Sequence, residues 1–273
     1  MTFEAEQAFA LEVASRAGEL QVERAERVGQ IAFKSAKDVV TEVDHLSEAL
    51  ILEAIRETYP DDAVLAEETG EHPAAGGRAP TAGVGRVWIV DPLDGTINFA
   101  NGIPFWCVSI ALAVDGRPVV GVIHDPVRRE TFAATVDGPA RCWSPSSMDG
   151  VDVTASTKEE LSDFVISMHL AGRAVTTRAR AIRKVIRVSR NMGSAALALA
   201  YVANGRFDAF VQQGGLSTWD VAAAGLIAER SGATVTNLRG GPWFDVAAKS
   251  RSMTILAVPD LHHAELLRLI SGG

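Results

Sequence analysis

The sequence predicts a mixed α/β fold in which two β-sheets pack with layers of helices. Runs of β-forming residues joined by short turns dominate the chain up to about residue 145, as is typical of an antiparallel sheet. From about residue 160, strand and helix patterns alternate, which is typical of strands joined by helical crossovers. We therefore expect one unit over residues 1–273, with an α+β lobe at about 1–145 and an α/β lobe at about 146–273.

Composition and charge exclude several classes of protein. The chain has 273 residues with 47% hydrophobic side chains, enough for a large buried core. Its formal net charge of −8 has the wrong sign for a general nucleic-acid binder, which needs Lys and Arg to neutralise phosphates. Cys107 and Cys142 form no C-x-x-C pair, so a zinc ribbon and a disulfide scaffold are both disfavoured.

The sequence predicts a cytoplasmic location and no membrane association. The N-terminus carries Glu4 and Glu6 without a basic segment, so it does not resemble a secretory signal. No apolar run approaches the roughly 20 residues that a membrane-spanning helix requires.

Two helices are predicted at the start of the chain. Apolar residues at helical spacing indicate a helix over 2–28 that ends near Gly29. A second helix runs from about Asp44 to Tyr59, because Pro60 cannot continue it.

Strands follow these two helices. "DDAVLAEE" predicts a short strand, and the Gly- and Pro-rich segment after it predicts an exposed, mobile loop. "VWIVD" predicts a buried strand, and two β-rich runs flank Asp115-Gly116, which is a strong hairpin signal. "ETFAATVDG" continues the sheet. In the second half, the strand patterns "DFVISMHL", "FDAFVQ" and "TILAVP" alternate with helix patterns such as "GSAALALAYVANG" and "WDVAAAGLIAERSG".

Two aspartates stand three residues apart in "VDPLDGT", after the predicted "VWIVD" strand. They could form a covalent aspartyl nucleophile, a pair of metal ligands or a simple turn, since Pro, Asp and Gly are turn residues. Phosphatases of the haloacid dehalogenase type place their nucleophile and acid in D-x-D, whereas Asp91 and Asp94 form D-x-x-D around Pro92. Because this spacing implies a bend, covalent catalysis is disfavoured.

Two more acidic positions favour metal binding over a turn alone. Glu67-Glu68 in "AEETG" and Asp220 in "STWDVAAAG" have ordinary alternatives, a solvated turn and a helix N-cap respectively. In combination, and without a histidine motif, the acidic residues make an all-oxygen set of hard ligands that suits Mg²⁺: Glu67, Asp91, Asp94 and Asp220. Gly95 and Thr96 can open a helix whose free N–H groups face a phosphate.

These motifs resemble those of the inositol monophosphatase family of Mg²⁺-dependent, Li⁺-sensitive phosphatases. The resemblance rests on "AEE" at 66–68, "WIVDPLDGTINFANGIPF" at 88–105 and "WDVAAAGLIAERSGA" at 219–233, and it extends from about residue 5 to 265. It implies an αβαβα five-layered sandwich of the sugar-phosphatase type. It also implies a phosphomonoester hydrolase in which a metal-activated water attacks in line, without a phosphoenzyme.

The resemblance further implies metal ligands in this chain. A first Mg²⁺ would be held by Glu67, Asp91 and the backbone carbonyl of Leu93, and a second by Asp91, Asp94 and Asp220. Because Glu67 also borders a third, weaker site, two or three ions per subunit are expected, with Li⁺ as an inhibitor. The N-terminal lobe would carry the main metal site, and the C-terminal lobe would contribute Asp220 and the substrate-specificity segments.

Catalytic and substrate roles follow from the same resemblance. Thr96 and Asp44 match the pair that orients and deprotonates the attacking water, with Glu67 as the third catalytic residue. Asp44 also has an ordinary role as the N-cap of a helix starting near His45, and both roles can hold. Contacts with phosphate and substrate are expected from Asp94, Gly95, Thr96, Gly193, Ser194, Ala195, Gln213 and Asp220.

The sequence departs from the family at a substrate position. Animal inositol monophosphatases have an acidic residue seven before the W-D aspartate, where this chain has Gln213. Glutamine can hydrogen-bond a polyol but loses a charge-assisted bond worth roughly 1.5–3 kcal/mol. Inositol 1-phosphate is the leading substrate, and histidinol phosphate, fructose 1,6-bisphosphate and 3′-phosphoadenosine nucleotides are the alternatives. No spare carboxylate awaits a substrate amine, which disfavours histidinol phosphate.

One alternative belongs to another class of function. The segment 173–190 has seven basic residues and no acidic one, which indicates a solvated helix face or contact with an anionic partner. A protein that interacts with RNA-processing or transcription machinery is therefore a further hypothesis, although the net charge of −8 makes nucleic-acid binding unfavourable. The family resemblance implies a homodimer.

Overall fold

The computed structural model describes residues 2–25, 31–35, 38–170 and 175–271, and for residues 31–35, 38–41 and 175–177 it describes the backbone alone. This part of the chain forms seven α-helices: α1 Glu4–Ala25, α2 Glu42–Thr58, α3 Thr96–Ala100, α4 Val175–Val185, α5 Ala195–Ala200, α6 Thr218–Arg230 and α7 Asp260–Ser271. The same part forms fifteen strands: β1 Ile31–Ser35, β2 Asp38–Thr41, β3 Ala63–Ala66, β4 Gly70–His72, β5 Arg86–Asp94, β6 Cys107–Val114, β7 Arg117–Asp125, β8 Glu130–Thr135, β9 Arg141–Ser144, β10 Ser147–Asp152, β11 Val165–Leu170, β12 Val188–Arg190, β13 Ala209–Leu216, β14 Ala233–Thr236 and β15 Met253–Pro259.

The strands form two large sheets and one small one. The eight-stranded sheet has the order β10-β9-β8-β7-β6-β5-β3-β4 and is antiparallel except where β3 runs parallel to β5. The five-stranded sheet has the order β12-β11-β13-β15-β14, with β11 parallel to both of its neighbours and β15 antiparallel to both of its own. Strands β1 and β2 pair only with each other in the described part of the chain.

Helices and sheets stack in five layers. Helices α1 and α2 pack on one face of the eight-stranded sheet, and α5 and α6 lie between the two large sheets. Helices α4 and α7 cover the outer face of the five-stranded sheet. The αβαβα sandwich is therefore confirmed, while the division into lobes near residue 145 stays a prediction. Among the described helices, none combines the length and apolar character needed to cross a bilayer.

The first two helices differ from expectation at their ends. Helix α1 ends at Ala25, and the end predicted near Gly29 lies outside the described residues. Helix α2 begins at Glu42 rather than Asp44, because β2 leads directly into it. Asp44 therefore lies inside the first turn, and the N-cap interpretation of this residue is wrong.

The segment between β3 and β5, which the sequence predicted to be a loop, contains regular structure. Strand β4 turns back to pair with β3, and a short 3₁₀ turn forms at Pro80–Ala82. The predicted hairpin is confirmed: β6 and β7 are antiparallel neighbours, and Asp115 and Gly116 have φ angles of 48° and 74°. Positive φ at both central residues is the signature of the type I′ turn that such hairpins favour.

Helix α6 lies very close to the eight-stranded sheet at Gly121 on β7. A Cβ atom at Gly121 would lie 2.6 Å from the carbonyl oxygen of Ala223 and 2.9 Å from its Cα. Backbone atoms cannot move aside as a flexible side chain can, so this helix–strand distance depends on glycine. The contact matters for function because Asp220 lies at the start of the same helix.

We expect Gly121→Ala to lower the free energy of unfolding by about 1–3 kcal/mol, since overpacking a buried contact forces backbone shifts. The measurement is urea denaturation, with Gly76→Ala as the control, because a Cβ at exposed Gly76 meets no atom within 4 Å. Equal midpoints for the two variants would contradict a helix distance set by Gly121.

Candidate metal centre and active site

Asp91 and Asp94 lie on either side of a bulge at the end of β5. Asp91 is opposite Ser109 on β6 and Asp94 is opposite Cys107, so three residue steps on β5 match two on β6. Pro92, which has no N–H to donate to a ladder, lies in the bulge, as is usual for proline within a sheet. The bend predicted from D-x-x-D is thus confirmed.

The bulge gathers three carboxylates from two distant parts of the chain. Oxygen atoms of Asp91, Asp94 and Asp220 all lie within 4.8 Å of one another, with Asp91 buried and the other two half-buried. Three carboxylates at this separation could hold a metal ion.

Gly95 ends the strand and opens the next helix. Its φ is 104°, and a Cβ there would lie 3.1 Å from the Phe105 carbonyl oxygen and 3.2 Å from the Trp106 Cα. Glycine is therefore required on two grounds, conformation and space. Gly95 is the N-cap of α3, so the predicted helix start at Gly95-Thr96 is confirmed, although α3 has only five residues.

Glu67 reaches the same edge because β3 is parallel to β5 and ends at Ala66 opposite Val90, the residue before Asp91. The Glu67 N–H donates to the Val90 carbonyl at 3.1 Å, and its carboxyl group hydrogen-bonds to Asp91. The turn after it is held by Glu48, a buried residue of α2 whose carboxylate accepts from the N–H groups of Glu68 at 2.8 Å and Thr69 at 3.0 Å. The role of Glu48 was not identified from the sequence, although an acidic residue in the apolar stripe of a helix indicates a buried hydrogen-bonding role.

Asp220 lies in the first turn of α6 and is not the N-cap of this helix. Ser217 is the N-cap, and the Asp220 carboxylate accepts from the Ser217 N–H at 2.5 Å in a capping box. The N-cap interpretation of Asp220 was therefore wrong by three positions. The capping bond fixes the direction of a carboxylate that also faces Asp91 and Asp94.

Asp94 is held by the start of α5. Its Oδ2 accepts from the Ser194 hydroxyl and from the Ala196 N–H, both at 2.6 Å. Ser194 is also the N-cap of α5, and Gly193 before it has a φ of 85°. Ala195 is the first residue of that helix, so three of the predicted substrate positions lie beside Asp94.

Asn98 ties this segment to α3. Its Nδ2 donates to the carbonyl oxygens of Phe105 and Met192, each at 2.7 Å. A Cβ at Gly193 would come within 2.7 Å of the Asn98 side chain, so the two chain segments touch. The role of Asn98 was not identified from the sequence, since one of its partners, Met192, lies 94 positions away.

The structure brings the predicted Thr96–Asp44 pair together. The Thr96 Oγ1 lies 2.9 Å from Asp44 Oδ1 and 3.1 Å from the Leu93 carbonyl oxygen. Asp44 is fully buried. A hydroxyl has one hydrogen, so Thr96 donates to one acceptor at a time and keeps lone pairs for a donor.

Gln21 supports the bulge from α1. It is fully buried, and its Nε2 donates to the Pro92 carbonyl at 2.7 Å and approaches Ser47 Oγ at 3.4 Å. Its Oε1 has no hydrogen-bond partner within the described part of the chain. Gln21 follows Val13 and Ala17 at four-residue spacing, so a polar residue in an apolar stripe was the available signal.

Burial and like charges dominate the electrostatics of the cluster. The pKa of Asp91 is raised far above its usual range by burial, then by the negative charges of Glu67, Asp94 and Asp220. Burial also raises the pKa of Asp94 to about 6. Hydrogen bonds from Ser194 and from N–H groups of α5 act in the opposite direction, but their effect is smaller. The pKa of Asp220 is raised by burial and by Asp94. A divalent cation would offset the repulsion between these ionised carboxylates, and a set of oxygen ligands suits a hard cation.

A cavity of about 340 Å³ opens beside the carboxylates, between the two large sheets. Its wall includes Asp94 and Asp220, and it also includes the predicted positions Gly193, Ser194 and Ala195. Gln212 of β13 lines this cavity, whereas Gln213, which is also described, does not. The substrate role of Gln213 stays a prediction.

The five layers and the acid-lined cavity define a metal-site sandwich of the sugar-phosphatase type. The model of the inositol monophosphatase family matches residues 4–271, and the chain belongs to this family.

Known proteins similar to this chain carry two kinds of name. Nus factor SuhB of Salmonella typhimurium is 37% identical over 214 residues, which are 76% of this chain and 75% of that protein. The extragenic suppressor protein suhB of Bartonella henselae has a solved structure with a TM-score of 0.86 and 32% identity, covering 99% of this chain and 100% of that one. SaIMPase-II, solved with inositol monophosphate bound, has a TM-score of 0.80 and 26% identity, covering 98% of this chain and 94% of that one.

In EDTA, which removes metal ions, we expect the contribution of Asp94 to the free energy of unfolding to decrease as the pH rises. The folded pKa of Asp94, about 6, exceeds the unfolded value, so the folded state binds the extra proton. The stability contributed by Asp94 is therefore complete below about pH 4 and is lost as the pH rises through about 6. Asp94→Asn should be more stable than the wild type at about pH 8, and this difference should vanish near about pH 4.

The measurement is urea denaturation in EDTA across this range, with Asp149→Asn on exposed β10 as the control. The difference between variant and wild type isolates Asp94 from other titrating groups. A difference independent of pH, or an equal one in the control, would contradict the charge-crowding explanation.

Proposed function

We propose that the protein is a Mg²⁺-dependent phosphomonoester hydrolase, with inositol 1-phosphate as its leading substrate. One observation carries the proposal: three carboxylates within 4.8 Å of one another lie next to a hydroxyl–carboxylate pair 2.9 Å apart. The first group suits a divalent cation, and the second suits a water that must lose a proton. Membership of the inositol monophosphatase family supports the same chemistry.

Four side chains and one carbonyl would hold the metal ions. Glu67, Asp91 and the Leu93 carbonyl would bind the first Mg²⁺, and Asp91, Asp94 and Asp220 the second, with Glu67 bordering a third. Bound there, Mg²⁺ supplies positive charge to the phosphoryl oxygens, to the leaving oxygen and to the attacking water. Li⁺ inhibition belongs to the same proposal.

The protein's own groups position the water and the phosphate. Thr96 accepts a hydrogen bond from the attacking water while its hydroxyl donates to Asp44, which lies 2.9 Å away and receives the proton. The N–H groups of Gly95 and Thr96, at the start of α3, would donate to the phosphate. Buried Asp44 has no bulk water to compete for this role.

The substrate class fits the cavity. A volume of about 340 Å³ is at the small end of ligand sites and matches a polyol phosphate. SaIMPase-II, which is 26% identical, binds inositol monophosphate. Histidinol phosphate, fructose 1,6-bisphosphate and 3′-phosphoadenosine nucleotides remain the alternatives. A homodimer and a cytoplasmic location are part of the proposal and rest on the family resemblance and on the sequence.

The test is phosphate release from inositol 1-phosphate and the alternatives, with Mg²⁺ and with EDTA. We expect release that depends on Mg²⁺, and a decrease in kcat of about 10²–10⁴-fold in Thr96→Val, which keeps the shape but removes the hydroxyl. Thr96→Ser is the matched control, because it retains the hydroxyl and should keep most of the activity. Release that persists in EDTA, or equal rates for Thr96→Val and Thr96→Ser, would overturn the mechanism.

A second candidate function is interaction with RNA-processing or transcription machinery. Relatives at 35–37% identity are named Nus factor SuhB, and α4 exposes Arg180, Arg183 and Lys184. Exchange of these three residues for Ala should then weaken binding of a labelled single-stranded RNA, measured by fluorescence anisotropy at about 50 mM salt, without changing phosphate release. No binding by the wild type at that salt concentration would remove this candidate.

A further inference from the structure

The turn that carries Glu67 lies at the edge of the eight-stranded sheet. It joins β3 to the edge strand β4, which has only 3 residues. Ala66 pairs with Gly70 across this hairpin, so the loop between them consists of residues 67–69. Gly70 has a φ of 79°, in the left-handed region that closes many three-residue hairpin loops. Because so short a hairpin has few backbone bonds of its own, contacts from other elements determine how Glu67 is oriented.

Two peptide groups flank the Cα atom of Glu67, and each is held by a different element. The N–H of Glu67 belongs to the first group and donates to the Val90 carbonyl of β5 at 3.1 Å. The N–H of Glu68 belongs to the second group and donates to the Glu48 carboxylate of α2 at 2.8 Å. Because peptide groups are planar, holding both of them fixes the direction of the Cα–Cβ bond of Glu67. That side chain is the one that reaches Asp91 in the carboxylate cluster.

The contact made by Glu48 requires a carboxylate. Its Oε2 accepts from the Glu68 N–H, and its Oε1 accepts from the Thr69 N–H at 3.0 Å, so both oxygens bind main-chain donors. A side-chain amide has one acceptor oxygen and would turn its NH₂ group toward the other N–H donor. Glu48 is only 1% exposed, so bulk water does not compete for these hydrogen bonds.

Helix α2 also carries the acceptor for the Thr96 hydroxyl. Asp44 and Glu48 are four residues apart on this helix, so they lie on the same face of it. Asp44 is buried like Glu48, and its Oδ1 lies 2.9 Å from Thr96 Oγ1. One helix therefore holds both the proposed proton acceptor and the turn that follows a proposed metal ligand.

We propose that Glu48 is a positioning residue of the metal centre, which holds the turn after Glu67 and so keeps the Glu67 carboxyl directed at the ion that it binds. Loss of this contact weakens Mg²⁺ binding although every ligand is still present. The inference rests on the proposed Mg²⁺-dependent function, and it adds a residue outside the ligand set that determines the affinity for the metal.

The first measurement is Mg²⁺ binding to the metal-free protein by isothermal titration calorimetry. Glu48→Gln keeps the shape of the side chain but can accept from only one of the two N–H groups. We expect it to weaken Mg²⁺ binding by about 10- to 100-fold, the range typical of residues that orient a metal ligand. In phosphate-release assays, the Mg²⁺ concentration that gives half of the maximal rate should rise, whereas kcat at saturating Mg²⁺ should be nearly unchanged.

A second measurement reports the contact in the absence of metal. In EDTA, amide hydrogen exchange at Glu68 and Thr69 should be slow in the wild type and faster in Glu48→Gln. Glu53→Gln is the matched control, because it removes the same charge from an exposed position of α2 and should change neither exchange nor Mg²⁺ affinity. If Glu48→Gln does not fold, Glu48→Asp takes its place, since a shorter carboxylate should lose one of the two bonds and show weaker forms of both effects.

A double-mutant cycle tests whether Glu48 acts through Glu67. In a Glu67→Gln background, Glu48→Gln should cause no further loss of Mg²⁺ affinity. An equal loss in both backgrounds overturns the positioning role, because Glu48 then acts independently of Glu67. An equal loss in Glu53→Gln also overturns it, because the effect is then that of charge in general.

The outcomes separate this inference from the proposed function. Mg²⁺-dependent phosphate release with the same Mg²⁺ affinity in the wild type and in Glu48→Gln overturns the role of Glu48 and leaves the phosphatase intact. Mg²⁺ binding by the wild type without phosphate release from any ester overturns the phosphatase, while calorimetry and hydrogen exchange still decide the role of Glu48. A wild type that binds no Mg²⁺ overturns both.

Discussion

The bulge between Asp91 and Asp94 is the constraint on which the site depends. One additional residue in β5 turns the end of a buried strand, so that two carboxylates lie within 4.8 Å of each other and of a third. Gln21 holds the Pro92 carbonyl inside the bulge, and Gly95 lets the chain leave it between Phe105 and Trp106. Both contacts act on backbone atoms, at the Pro92 carbonyl and at the exit of the chain from the bulge.

Gathering the carboxylates works against folding, and the surrounding layers oppose that effect. Without a cation, the negative charges raise one another's pKa values, and each buried carboxylate loses hydration. The central helices compensate by close packing, since α5 and α6 are rich in alanine and lie against both large sheets. Gly121 lets β7 approach the Ala223 backbone of α6, and Gly225 lets α6 pack against the Trp243 side chain. The site is therefore strained electrostatically within a frame that is tightly packed.

Local patterns in the sequence predicted the structural features that are determined by residues close together in the chain. The bend at Pro92, the hairpin turn at Asp115-Gly116 and the helix start at Gly95 all follow from residue types that restrict φ or lack a donor, and all are confirmed. Motif resemblance predicted the five layers. These features need no knowledge of distant contacts.

What the sequence did not predict depends on partners far along the chain. Gln21, Glu48 and Asn98 are polar residues that each make at least one hydrogen bond to a partner 20 to 94 positions away. No periodicity identifies such a partner. The misplaced N-caps have a similar cause: Asp44 and Asp220 both lie in a first helical turn, but Asp44 accepts from distant Thr96 and Asp220 faces two distant aspartates. An acidic residue near a helix start is ambiguous until the flanking strand is known.

The two walls of the cavity come from different parts of the fold, which separates reaction from substrate choice. Asp94, on the wall beside the metal centre, ends β5 of the eight-stranded sheet, and Glu67, Asp91 and Thr96 lie at the same edge of that sheet. His169 and Gln212 belong to the five-stranded sheet, and Arg251 belongs to the turn before β15. Because the bulge in β5 is held by Gln21 and Gly95, we expect substitutions at His169 or Gln212 to change the second wall without moving the bulge.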